Sequence, residues 1–422
     1  MTKITFPILL VVLVALNGCT SLAKGFAEVL LDKEDEVDQR RCQIWGNTLG
    51  GIAATLGKSK GKTKVLMIHG VGDQIPGYST LLMEGLAKQL KLNMLSKHFK
   101  EISLTNFPDQ NKKLGNLRVN RLLNKEKTQE LLFYELTWST ITATDKQVLA
   151  YDNSGEYSFR RTAINDLLKK FSNSTGPDPM IYLGKKRIDI LTAFNQSLCW
   201  MMMGDWNDLP QQTDQPCDPF QKALITNIPI DDYVLISHSL GSRITIDGLQ
   251  LIATRAQNFQ NDSKETIALK KRLIAEFREK RIPIFMLSNQ LPLLQMGRDP
   301  PEVTGQTFAY CKPTGDFYSK RIFKEIDIIA FSDPNDILSY AVPPGYAEKN
   351  LDSRLCVETT NININIANTI DLFGMGKLAN PLEAHLGYDH DERVIALISQ
   401  GIGNANTAKI IKERCEWIET ID

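Results

Sequence analysis

The chain predicts an α/β fold, a mostly parallel sheet with helices on both faces. Three observations lead there. Short continuous apolar runs, such as Val65-Leu66-Met67-Ile68 and Tyr233-Val234-Leu235-Ile236, have the length and composition of strands buried on both sides. Helical apolar spacing follows several of these runs, so strands and helices alternate along the chain. The length of 422 residues, 42% of them hydrophobic, provides the core of one large domain carrying an insertion, and no internal repeat divides it.

Taken in order, the first element is a targeting segment. Lys3 precedes an apolar run from Ile4 to Leu16 that is too short to span a bilayer comfortably, so residues 1–18 read as a signal peptide. The run ends in Leu16-Asn17-Gly18-Cys19, which resembles a bacterial lipobox. That resemblance implies cleavage before Cys19, acylation of its thiol and a lipid anchor in the cell envelope. Each buried CH₂ of such an anchor contributes about 0.8 kcal/mol. Thr20 follows the cysteine in place of Asp, which favours the outer membrane over the inner. Residues 19–62 read as a lipidated tether with a short helix, charged around 33–41 and rich in Gly and Lys over 57–63. Residues 63–422 form the folded domain.

Within it, residues 64–69 form a buried strand, Gly70 to Asp73 turn the chain, and 79–95 carry helical spacing at Leu81, Leu82, Leu86, Leu90 and Leu95. Residues 131–142 are rich in aromatic and β-branched residues and read as a strand. Helical pieces follow near 159–171 and 187–203, separated by the Gly176-Pro177-Asp178-Pro179 break. Strands 233–237, 282–288 and 326–331 come next, with helices over 240–256 and 262–280. Alternation over 362–366 suggests an edge strand, and helical patterns over 391–400 and 407–419 end the chain.

Lys+Arg and Asp+Glu are equal at 49 each, and there is no basic stripe with interleaved aromatics, so nucleic acid is not an expected partner. The seven cysteines are Cys19, Cys42, Cys199, Cys217, Cys311, Cys356 and Cys415. Setting Cys19 aside leaves an even number, suited to disulfides outside the cytoplasm or to buried thiols. Cys199 and Cys217 bracket one compact segment and can pair; the remaining connectivity is open. No cysteine or histidine pair has metal-ligand spacing, so no metal or cofactor is expected.

The chemistry is concentrated in Ser237-His238-Ser239-Leu240-Gly241, between an apolar strand and a helical pattern. A small-x-Ser-x-Gly stretch there fits a sharp strand-to-helix turn that lifts the Ser239 hydroxyl above the sheet. Small flanking residues are needed because strand and helix crowd each other, and Ser237 and Gly241 satisfy that. A plain serine-rich loop or a phosphate-binding turn is the alternative reading. At the end of the first strand, His69-Gly70-Val71-Gly72 can supply a backbone N–H to a developing oxyanion, with a second from Leu240. A serine nucleophile needs a base, and only five histidines occur. His69 and His238 lie in the two loops just named, and His98 precedes the nucleophile. Of the late pair, His385 reads as lying in a loop after the last strand and before a helix, whereas His390 sits among Asp389, Asp391 and Glu392 as in a solvated helix start. An orienting carboxylate is offered by Ser332-Asp333-Pro334-Asn335-Asp336. Asp336 precedes an apolar pair and is favoured; Asp333 is the runner-up, with the look of a turn residue.

Strand, oxyanion loop, serine, acid and histidine in this order resemble an α/β-hydrolase-fold serine hydrolase of the lipase or esterase kind, over about residues 63–400. The resemblance implies Ser239 as nucleophile, His385 as base, Asp336 as acid, and Val71 and Leu240 as oxyanion donors. His69, Gly70, Gly72 and Gly241 would support them. It also implies an acyl-ester or lipid substrate and no cofactor. Ser237 stands where the family's first elbow glycine is found. His69 and Ser239 are 170 positions apart, so a large insertion is expected over about 100–230, between the oxyanion-loop strand and the nucleophile strand. Its Phe194-to-Trp206 segment, with Trp200, Met201, Met202 and Met203, is either a lid or acyl-binding wall or a buried helix. Two alternatives accompany ester hydrolysis: acyl transfer by the same triad, and an inactive hydrolase-like scaffold that binds in the envelope.

Overall fold

The computed structural model describes residues 40–56, 61–106, 112–153, 161–217, 222–260, 262–371 and 377–418. The signal segment 1–18 and Cys19 lie outside the described residues. Contacts separate Met1–Arg40 from one compact unit, Arg41–Asp422, to which everything below refers.

The unit is built on an 11-stranded mixed sheet. Its strands are β1 (Cys42–Trp45), β2 (Thr63–Ile68), β3 (Asn93–Thr105), β4 (Lys113–Leu123), β5 (Glu130–Thr137), β6 (Gln212–Thr213), β7 (Asp232–His238), β8 (Arg281–Leu287), β9 (Glu325–Ser332) and β10 (Val357–Ile364). A separate hairpin joins β11 (Thr369–Asp371) to β12 (Lys377–Ala379), and β13 (Cys415–Ile418) returns to the main sheet. The sheet order is β13-β1-β10-β9-β8-β7-β2-β5-β4-β3-β6. The block from β10 to β5 is parallel throughout. Antiparallel pairs occur only toward the two sides, at β1·β10, β5·β4 and β4·β3.

Parallel strands buried on both faces must be apolar at consecutive positions, and β2 and β5 are buried at every residue. Alternate side chains of β2 enter opposite cores. Leu66 and Ile68 join one with Phe194, Leu198, Ile244 and Leu249; Val65 and Met67 join the other with Leu82, Leu86, Val394 and Ile398. Helices α1 (Thr80–Gln89) and α5 (Glu392–Gln400) cover this second face. Helices α2 (Arg187–Met203) and α3 (Leu240–Ala256) cover the first, with α4 (Lys264–Phe277) beside them. The backbones of α2 and α3 approach closely at Gly248, where a Cβ would lie 2.1 Å from the Phe194 ring.

Several expectations are corrected. Residues 19–62 are more than a tether with a short helix: β1 pairs with β10 and β13, and the short helix described there lies at Ala53–Leu56, after the charged 33–41 stretch. The expected insertion over 100–230 is not set apart from the sheet: the end of β3 and all of β4, β5 and β6 extend it on the β2 side, and most of the rest is helical. The strand expected over 131–142 ends at Thr137 and gives way to a helix at Thr140–Lys146. The helix expected over 79–95 stops at Gln89, where the chain turns into β3. Residues 362–364 belong to β10, which is interior rather than an edge, with 365 and 366 just past it, and the helix expected over 407–419 covers Lys409–Arg414 before β13. The Met- and Trp-bearing segment is a core helix, not a lid: Phe194, Trp200, Met201 and Met202 are all buried. Disulfides join Cys42 to Cys415, Cys199 to Cys217 and Cys311 to Cys356.

Candidate active site

Strand β7 runs into α3 through Ser239, whose φ of 55° and ψ of −124° put a non-glycine residue in a sparsely populated region. Three contacts hold that geometry. Ser239 N–H donates to the Leu287 carbonyl at the end of β8 (2.9 Å), and the Ser239 carbonyl accepts from the Ser242 N–H (3.0 Å) and its Oγ (2.7 Å). Gly241 is forced by proximity: a Cβ there would meet the Ile68 carbonyl oxygen at 2.5 Å. Gly70 is forced likewise, since its Cβ would lie 2.6 Å from that of Ser239. The loop after β2 therefore abuts the serine, with Val71 next along it, and Leu240 opens α3. Ser237, at the position of the missing elbow glycine, is fully buried.

A strand-end loop and a short helix bring the other two groups to Ser239. His385 sits on the short helix Pro381–Leu386 rather than in the expected loop, and Asn380 caps that helix through the Leu382 N–H (3.0 Å). Its Nε2 is 3.2 Å from Ser239 Oγ, and its Nδ1 is 3.0 Å from both carboxylate oxygens of Asp336. Asp336 follows β9 and is 4% exposed; Ser239 is wholly inaccessible. Burial alone would raise the Asp336 pKa, but the His385 ring, the Ser288 hydroxyl and the Leu338 N–H together hold it below the ordinary carboxylate value. The chain Ser239–His385–Asp336 has the connectivity that lets an imidazole take a hydroxyl proton and share the resulting charge with a carboxylate.

The remaining candidates are engaged elsewhere. Asp333 accepts from Asn335 N–H (2.7 Å), Ile366 N–H (2.6 Å) and Ala367 N–H (3.0 Å), so it ties the acid loop to the segment after β10. His390 is exposed and bonded to Asp389. His69 is a brace. It bonds the Gly70 carbonyl through Nδ1 (2.7 Å) and accepts the Trp138 N–H at Nε2 (3.0 Å), while its ring stacks on Trp138 at 4.6 Å. Burial lowers its pKa to about 3.

Two contributing residues carry no readable motif. Ser288, just past β8 with φ of 50°, donates to Asp336 Oδ2 (2.7 Å) and lies 2.9 Å from His385 Nδ1. His238, inside the elbow, bonds the His385 carbonyl through Nε2 (2.8 Å). Burial, with His385 beside it, lowers its pKa to about 4. A polar Ser288-Asn289 pair ending an apolar strand is the one hint the sequence holds of the former. An apolar cavity of about 540 Å³ lined by Tyr233, Leu235, Met201 and Phe277 lies toward the start of β7, apart from the triad. Among the described residues no group of three or more His, Cys, Asp or Glu side chains is placed to hold a metal ion.

Comparisons with family models, curated proteins and solved structures return no match, so the functional reading rests on this geometry.

Proposed function

We propose that this chain is a serine hydrolase of the α/β-hydrolase kind that cleaves an acyl ester through a covalent acyl-enzyme. The observation that carries the reading is the continuous Ser239–His385–Asp336 chain, with Ser239 and Asp336 past the carboxyl ends of the parallel strands β7 and β9, together with the strained serine turn. Ser239 Oγ attacks the ester carbonyl as His385 Nε2 takes its proton. Leu240 N–H and Val71 N–H bind the oxyanion, and the proton returns to the leaving alcohol. A water, deprotonated by the same nitrogen, then releases the acid and restores Ser239.

An apolar acyl substrate is supported by the side chains beside the acid and the base. Ile337, Leu338, Leu382 and Leu386 are large, hydrophobic and exposed next to Asp336 and His385. The lipobox-like Cys19 and the three disulfides support an envelope location, anchored by lipid, with the outer membrane favoured. Among the described residues no helix is long and apolar enough to cross a membrane.

Hydrolysis of a p-nitrophenyl ester series of increasing acyl length tests the reading. Wild-type protein should turn over these esters, and Ser239→Ala should reduce kcat by about 10⁴-fold or more. Equal rates in the two proteins would reject it. Adding competing alcohols separates hydrolysis from acyl transfer, because a transferase yields the alcohol's ester.

A further inference from the structure

The loop that abuts Ser239 is gripped by a part of the chain that contributes no group to the triad. Trp138 N–H and its indole N–H bond His69, and Ser139 Oγ donates to the Gln74 carbonyl (2.7 Å). Between these points, Gly72 N–H donates to Asp178 Oδ2 at 2.7 Å. Asp178 comes from the Gly176-Pro177-Asp178-Pro179 break and is completely buried. Its charge is met by Lys146, at 2.9 Å from Oδ1 and 3.0 Å from Oδ2. Lys146 is itself buried and also holds Asp73 (2.8 Å) and the Ser174 carbonyl (2.8 Å). Two consecutive loop residues, Gly72 and Asp73, are thus fixed by one ion pair.

A buried ion pair contributes little net stability compared with apolar side chains of the same size. Its distinctive property is directional: the carboxylate fixes one backbone N–H in place. Gly72 has φ of +103°, open to glycine and rare for other residues, so nothing in its own stereochemistry confines it. The residue before it is Val71, whose N–H must point at the oxyanion. We propose that Asp178 and Lys146 are positioning residues for catalysis: their pair, through Gly72, sets the direction of the Val71 N–H. This rests on the serine-hydrolase reading above.

Two double variants isolate the bond without stranding a buried charge. Lys146→Met with Asp178→Asn keeps an acceptor for Gly72 N–H; Lys146→Met with Asp178→Leu removes it at similar volume. Full-length proteins are compared for ester kcat and KM, and for amide hydrogen exchange over residues 70–74. Misplacing one oxyanion donor costs about 10²-fold in kcat, so the Leu variant should fall about 30- to 100-fold below the Asn variant. KM should stay within about twofold, and exchange at Gly72 should be at least about tenfold faster in the Leu variant. Equal kcat and equal exchange in the two would overturn the proposal while wild-type activity lost in Ser239→Ala left the hydrolase reading standing. A wild-type protein without Ser239-dependent turnover would instead remove the parent reading, and exchange alone would then show whether Asp178 holds the loop.

Discussion

At the residue scale, function depends on how the hydroxyl, imidazole and carboxylate are held. Asp336 receives three kinds of support, from His385, Ser288 and the Leu338 N–H (3.0 Å). Replacing it by Asn should lower kcat by about 10⁴-fold, because the imidazole loses its orienting anion. Ser288→Ala withdraws one bond that keeps Asp336 ionised. Its kcat should fall about three- to tenfold, and its activity should decline at higher pH on acidification than in wild type. A pH–rate profile with an unmoved acid limb would count against that role. The triad was legible in the sequence because histidine is scarce and the candidates fall in chain order. Ser288 and His238 were not, since their roles depend on where two strand ends and the Pro381–Leu386 helix meet.

At the element scale, the parallel strands were readable because burial on both faces leaves a continuous apolar signature, as in β2 and β7. The long β3–β4 hairpin was not. Its buried positions Leu114, Leu117, Val119, Leu122 and Leu123 break the period of two twice, the first time where Gly115 (φ +133°) brings the backbone against the Thr137 carbonyl. Helix α2 could not be assigned to a lid or to the core from its composition, because a methionine-rich stripe suits both. Its packing on α3 predicts that Gly248→Val is severely destabilising, by several kcal/mol, since the Phe194 ring occupies the space a side chain would need. The Cys199–Cys217 bridge closes a separation of 18 residues at the end of α2. Cys199→Ser should lower unfolding free energy by about 3 kcal/mol in urea titration, and reduction of wild type, which opens all three bridges, should cost more.

At the scale of the whole molecule, β1 and β13 meet at one side of the sheet and are joined by Cys42–Cys415, 373 residues apart in sequence. Pairing over that separation leaves no local signal, which is why both segments read as tether and helix. The molecule also carries buried neutral histidine. His69 titrates near 3 when folded and near 6.5 when unfolded, so the unfolded chain binds the extra proton over the interval between. Its stabilisation is complete above pH 6.5 and is lost toward pH 3, by about 1.4 kcal/mol per pH unit. His238, with its pKa lowered to about 4, acts in the same direction to a smaller extent because its shift is smaller. Urea midpoints should therefore fall steadily from pH 6.5 to pH 4; a flat profile would contradict the neutral His69 brace.

The nucleophile is tested most directly by intact mass and peptide mapping after incubation with a fluorophosphonate. Wild type should gain one phosphonyl group, mapped to Ser239, and Ser239→Ala and His385→Ala should gain none on the same timescale. An unmodified wild type, or an adduct that persists in Ser239→Ala, would contradict the assignment of Ser239 as the nucleophile.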